Sequence, residues 1–323
     1  MYLVILLYIL FASLFTLQKD TLSYCEPFFL VGSRMLFAGL VLLAYLAIKH
    51  KPRAIRIQAQ HIVGILLLAC SQIYLTNVCE IWAIKHMVSS KACLLYSLSP
   101  FVSALVAFLI LKETMSNKKL LGMLIGFMGL LPILFIRTQE ELYSGAFFIF
   151  SGAELAMVGA VFCSVYGWIM LKKVMQDYSY SPLLANGLSM TLGGCMALLH
   201  SYLAGEAWNP IPVTDNAAFM INTLVMCLIS NLICYNLYGY LLNRFTATFM
   251  SFAGLVTPIF TSLFGFIWLQ EVITWHFFVS IAMFTVGLII FYREELAQGL
   301  AYKVNPRVDA VNFKPELKVG AET

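Results

Sequence analysis

The chain has 323 residues, of which 61% are hydrophobic and only 11% charged, with a formal net charge of +4. Soluble domains carry about 25% charged residues, so this composition excludes a cytosolic enzyme, a disordered chain and a secreted disulfide scaffold. It gives an all-α integral membrane protein, because solid apolar runs, unlike the alternating runs of a transmembrane barrel, belong to helices that satisfy their own backbone in lipid.

A spanning helix takes roughly 20 apolar residues. Ten such segments are expected in chain order: 2–17, 26–48, 61–84, 87–111, 119–136, 148–171, 182–204, 217–242, 246–269 and 273–292. The first has no basic stretch before it and no small-residue cleavage site after it, so it reads as a span and not as a leader. Lys and Arg divide unevenly between the two sides. The loops after segments 2, 4, 6 and 8, together with the tail, hold fifteen, among them Lys49, Lys51, Arg53, Lys118, Lys172 and Arg244. The other side holds Lys19, Lys85, Lys91 and Arg137. Both termini are therefore expected in the cytoplasm, with residues 293–323 as a flexible cytoplasmic tail.

The second half of the chain repeats the first. Shifted by 158 residues, Trp82 falls on Tyr240, Pro100 on Pro258, Glu113 on Glu271 and Gly129 on Gly287, and the segment 97–113 lies over 255–271. The expected units are 1–137 and 148–292, five helices each. Five is odd, so the second unit enters the membrane from the opposite side. Inverted repeats of this kind build many secondary transporters, with the substrate at the repeat interface near the midplane.

Polar residues inside spans cost several kcal/mol and mark candidate sites (roughly 2.5–3.5 kcal/mol for a charge near a helix centre). Gln72, Thr76 and Glu80 follow i, i+4, i+8 and share a face, with Asn77 beside Glu80. Glu80 there is a counter-ion for a cationic group or a proton site, or else meets Lys85 or water at the outer end. Lys91, with Tyr96 on the same span, is placed to bind a carboxylate or to reach the interface. Arg34 is expected to pair with Glu26 or with lipid headgroups, or to meet substrate. Asn231, Tyr235 and Tyr238 follow i, i+4, i+7, a face on which rings stack a flat group or meet a cation. Ser164, Tyr166 and Trp168 are expected to pack between helices. Glu113 and Glu271 are expected to be structural or gating residues that cap neighbouring helices, and Pro100 and Pro258 to permit bending. Gly122, Gly126 and Gly129 suit close helix packing.

Several chemistries leave no trace. There is no GxxxxGK[ST], no HExxH and no clustered histidine, so no nucleotide hydrolysis, metal or other cofactor is expected. No basic stripe with aromatics points to nucleic acid. The eight cysteines form no CxxC pair, and seven of them lie in apolar runs as small hydrophobes. A membrane-embedded enzyme or a receptor finds no nucleophile–base set and no soluble signalling region.

The stretches 82–134 and 238–292 resemble the repeat unit of the drug/metabolite transporter superfamily, the EamA-like ten-helix carriers: an aromatic start, small residues, a Pro, an acidic residue thirteen later, then a Gly-rich helix. Residues 152–174, with Glu154, are similar to that family's sixth helix. The resemblance covers about 1–292 and implies a 5+5 carrier with a central cavity. As a whole, the chain is also similar to the S-adenosylmethionine carriers of obligate intracellular bacteria within that superfamily. This implies uptake of S-adenosylmethionine across the inner membrane, in exchange for S-adenosylhomocysteine, by a monomer or homodimer. Glu80 would then face the sulfonium or the amine, Lys91 the carboxylate, and Tyr and Trp rings the adenine. The alternative is a proton-coupled exporter of amino acids or cationic drugs, with Glu80 or Glu154 as the proton site.

Overall fold

The computed structural model describes residues 2–49, 61–111, 116–135, 144–147, 150–242, 245, 250, 253–254 and 256–297. The helices are α1 (Tyr2–Thr21), α2 (Pro27–Lys49), α3 (Ile62–His86), α4 (Ser89–Tyr96), α5 (Ser99–Leu111), α6 (Asn117–Leu134), α7 (Gly152–Asp177), α8 (Pro182–Leu203), α9 (Asn216–Leu242), α10 (Val256–Leu269) and α11 (Trp275–Ala297). Among the described residues 9 helical segments are long and apolar enough to cross a membrane, the run Ser89–Val106 through α4 and α5 counting as one, and α10 adds a shorter apolar helix of 14 residues. The loop before α7 holds a small antiparallel hairpin, β1 (Ala146–Phe147) and β2 (Phe150–Ser151), within a stretch expected to begin a span. Glu113 and the tail beyond Ala297 lie outside the described residues.

Large apolar side chains cover the outside of the bundle, Leu124, Met128, Ile221 and Phe266 among them, while Arg34, Lys91, Gln72 and Glu154 are buried inside. That distribution is the reverse of a water-soluble protein and is the arrangement lipid demands. Helix starts carry their own capping signals. Ser151 caps α7 through a capping box with Glu154, Ser181 caps α8 ahead of Pro182, and Asp215 accepts from two backbone N–H groups of α9. The fourth apolar run is broken at Ser97–Leu98, because Pro100 has no N–H to give the Tyr96 carbonyl and its ring crowds that turn. Pro258, at the corresponding place in the second half, stands in the first turn of α10, where an N–H has no intrahelical partner in any case.

α3 and α9 each contain one stretch of π-helix, Ala69–Leu75 and Cys227–Cys234. These begin 158 residues apart, at corresponding positions of the two halves. A π turn holds one extra residue and frees a carbonyl, and hydrocarbon offers that carbonyl no water. In both cases an asparagine supplies the donor. Asn77 Nδ2 donates to the carbonyls of Gln72 (3.3 Å) and Ile73 (2.9 Å), and Asn236 Nδ2 donates to those of Asn231 (3.1 Å) and Leu232 (3.0 Å).

Two helix pairs flank the bundle at close range. α2 lies along α8 and α6 along α11. A Cβ on Gly39 would stand 2.5 Å from Thr191, and one on Gly122 would stand 2.6 Å from the Gly287 carbonyl, so both pairs rest on glycine for backbone approach. At the end where α1 finishes, cross-chain polar contacts are dense. Lys19 donates to the carbonyls of Ile84 and Met87 at the end of α3. Glu206 accepts from the N–H groups of Phe28 and Phe29 at the start of α2, and Glu271 accepts from the Ser89 N–H at the start of α4. The Tyr24 hydroxyl, in the α1–α2 turn, donates to Asp20, and burial followed by that carboxylate pushes its pKa up to about 12.

Lys91 and Glu154 form an ion pair of 2.6 Å between α4 and α7, exposed by only 2% and 0%. The second Glu154 oxygen accepts from the Ser151 N–H at 2.7 Å, so one carboxylate closes the capping box and neutralises the lysine together.

Two stability outcomes follow from these contacts. Gly122→Leu should lower the thermal midpoint in detergent by the cost of overpacking, about 1–3 kcal/mol. Gly159→Ala, where an added Cβ meets nothing within 4 Å, should leave the midpoint unchanged or raise it. Lys91→Met should destabilise by about 3–5 kcal/mol by stranding Glu154, and the Lys91→Met/Glu154→Gln pair should recover most of that loss. Equal losses in single and double variants would disprove the coupling.

Candidate substrate cavity

α1, α3, α4, α7 and α9 enclose a cavity of about 890 Å³, counting the space that opens outward from it. One face of α1 forms the long wall, with Tyr8, Phe11, Phe15 and Gln18 at i, i+3, i+7 and i+10. That face runs about 15 Å at 1.5 Å per residue.

The carboxylate stands at one end of this wall. Glu80 and Gln18 both line the cavity. With its amide turned so that each atom meets a complementary partner, Gln18 donates to Glu80 Oε1 at 3.2 Å and accepts from Arg34 Nη1 at 3.1 Å. Arg34, 1% exposed, also donates from Nη2 to Asn77 Oδ1 at 3.0 Å. Asn77 in turn donates to the Tyr235 hydroxyl at 3.2 Å. A continuous polar chain therefore joins Glu80, Gln18, Arg34, Asn77 and Tyr235 across four helices.

Aromatic rings line much of the rest of the cavity. Trp168 stacks on Tyr238 with centroids 3.9 Å apart and planes at 26°, and Tyr235 lies 5.4 Å from Trp168. Tyr96 donates to Ser164 Oγ at 2.6 Å, with Phe15 edge-on to it at 6.0 Å. Ser97, Ser99, Ser230 and Thr257 add hydroxyls around the rim. A largely apolar and aromatic cavity with a few polar groups and one carboxylate suits a small molecule that combines a flat ring, hydroxyls and a positive centre.

The expected residues divide accordingly. Gln72, Asn77, Glu80, Tyr96, Tyr235 and Tyr238 all line the cavity. Lys91 does not, because its ammonium is turned to Glu154. Asn231 does not either. It is 0% exposed, and its amide sits against the sulfurs of Met35 (2.8 Å) and Met190 (3.9 Å). The extra residue in the π stretch rotates the helix between Asn231 and Tyr235, so regular α spacing put them on a common face that does not exist. Arg34 reaches inward to Asn77, and Glu26 pairs with Lys85 at 3.0 Å in its place. Ser164 and Trp168, expected to be packing residues, are on the cavity wall, while Tyr166 is absent from it. Glu271 meets the start of α4. Tyr8 and Gln18 were missed altogether, although the i, i+3, i+7, i+10 run of α1 carried the signal.

The EamA-like transporter family model matches residues 1–135 and 151–293. A protein of Chlamydia muridarum named S-adenosylmethionine/S-adenosylhomocysteine transporter is 35% identical over 291 residues, covering 90% of each chain. A Chlamydia trachomatis serovar L2 protein of the same name is 34% identical, over 90% of this chain and 88% of that one. The Escherichia coli inner membrane transporter YedA, itself uncharacterized, is 24% identical over 80% of this chain. A crystal structure 14% identical in sequence superposes with a TM-score of 0.64 over 91% of this chain and 97% of that one, which is a shared fold. With the family model matched over nearly all of the chain that forms the bundle, this multi-pass membrane protein belongs to the EamA-like transporter family.

Proposed function

We propose that the chain carries S-adenosylmethionine inward across a bacterial inner membrane in exchange for S-adenosylhomocysteine. One observation carries the reading beyond the names of its relatives: along the α1 face the cavity sets a carboxylate, Glu80, beside Gln18 toward one end and the stacked Trp168–Tyr238 pair beside Phe11 toward the other. In S-adenosylmethionine a sulfonium joins the amino-acid portion, with its ammonium and carboxylate, to the ribose and adenine. Glu80 faces the sulfonium, the aromatic wall takes the adenine, and Tyr96, Ser97 and Thr257 meet the ribose and amino-acid oxygens. Two chemically related ligands in one cavity need no coupling ion, since each drives the other's return.

The carrier works by alternating access in a ten-helix bundle of two inverted five-helix units, 1–137 and 148–292. The matching π stretches support that arrangement, as do the pairings of α2 with α8 and of α6 with α11, which stand at corresponding places of the two halves. Both termini lie in the cytoplasm, which puts Glu80 toward the periplasmic side and Tyr8 toward the cytoplasmic side. Pro100, Pro258 and Glu271 belong to the moving parts around the cavity, Glu271 by holding the start of α4.

Proteoliposomes containing the purified protein test the reading. Labelled S-adenosylmethionine should enter saturably, internal S-adenosylhomocysteine should accelerate entry several-fold, and collapsing a pH gradient should change nothing. Trp168→Ala should raise KM about tenfold, within the roughly 1–3 kcal/mol that base–aromatic stacking supplies. Uptake that ignores internal S-adenosylhomocysteine but follows the pH gradient would overturn exchange in favour of proton coupling.

A further inference from the structure

Arg34 is the least expected charge in the bundle. It stands on the eighth residue of α2, 1% exposed, in a chain whose outer surface faces lipid. A guanidinium does not lose its proton in proteins, so its charge is permanent and must be balanced inside the bundle. It is absent from the cavity lining, yet both of the cavity-wall side chains it holds, Asn77 and Gln18, line that cavity. Gln18 passes its other hydrogen bond to Glu80.

We propose that Arg34 is a positioning residue that makes the cavity selective for a cationic ligand. It supplies the counter-charge that lets Glu80 stand as a carboxylate among apolar neighbours, and through Gln18 it aims that carboxylate into the cavity without touching substrate. The ligand that brings its own positive centre then meets a single oriented negative group. S-adenosylhomocysteine keeps the ammonium but has a neutral thioether in place of the sulfonium, so it gains less from that group. This inference rests on the preceding reading of the cavity. The sulfonium and the thioether differ by one methyl group and one unit of charge, so the ratio of their affinities reports the charge preference directly.

Each variant is checked for monodisperse elution and a cooperative melt in detergent, and its affinities for S-adenosylmethionine and S-adenosylhomocysteine are measured. Arg34→Gln should weaken S-adenosylmethionine at least tenfold while changing S-adenosylhomocysteine less than threefold. Arg34→Lys, which keeps the charge, should restore the preference to within about threefold of the parent. The Arg34→Gln/Glu80→Gln variant removes both charges together, avoids a stranded ion, and should bind the two ligands with nearly equal affinity. It serves as the measurement should Arg34→Gln alone fail to fold.

Equal weakening of both ligands in Arg34→Gln would mean that Arg34 merely holds the wall together, and would overturn the proposal. So would a double variant that keeps the parent preference, or an Arg34→Lys variant no better than Arg34→Gln. A parent protein that binds neither ligand would instead overturn the substrate reading, and that failure is seen before any variant is made.

Discussion

Hydrocarbon tolerates a charge only when an opposite charge or a full set of hydrogen bonds accompanies it, and this constraint orders the interior of the bundle. Lys91 and Glu154 satisfy it directly at 2.6 Å. Arg34 satisfies it through Asn77 and Gln18, with Glu80 at the far end of the chain. In each case the partners come from different helices. The pairing thus sets which helices stand side by side and how each is rotated about its axis, something apolar packing in lipid specifies only weakly.

The same demand applies to the backbone. Each π stretch frees a carbonyl where no water is present, and Asn77 and Asn236 occupy the positions from which an amide reaches back to it. Asn77 has a second task, since its oxygen accepts from Arg34 while its nitrogen also donates to Tyr235. One side chain therefore repairs the helix, anchors the buried cation and ties α3 to α9 across the cavity. Removing it would disturb local helix geometry and the site together.

Space for the cavity is created by contrast. The flanking pairs α2–α8 and α6–α11 approach closely over glycines such as Gly39, Gly194, Gly122 and Gly287. The helices between them carry Tyr, Phe and Trp toward the centre, and these large rings prop α1, α3, α7 and α9 apart. The result is a closely packed pair on each side and a more open, aromatic-lined middle, an arrangement that suits the proposed alternating access.

Composition, apolar run lengths and the 158-residue repeat by themselves determined a multi-pass helical membrane protein, the extents of most helices, and Gln72, Asn77, Glu80, Tyr96, Tyr235 and Tyr238 as residues of one cavity. Burial in lipid makes each of those polar positions costly, and cost is visible in a sequence. Only the tertiary structure decided where Lys91, Arg34 and Asn231 point, because a charge finds its partner on another helix and sequence spacing does not record which helix that is. Only the structure revealed that an extra residue in a π turn separates Asn231 from Tyr235, and that Trp168 and Gln18 face the cavity. An aromatic or an amide on a helix is equally suited to packing and to recognition, and the choice belongs to the neighbours that the fold brings to it.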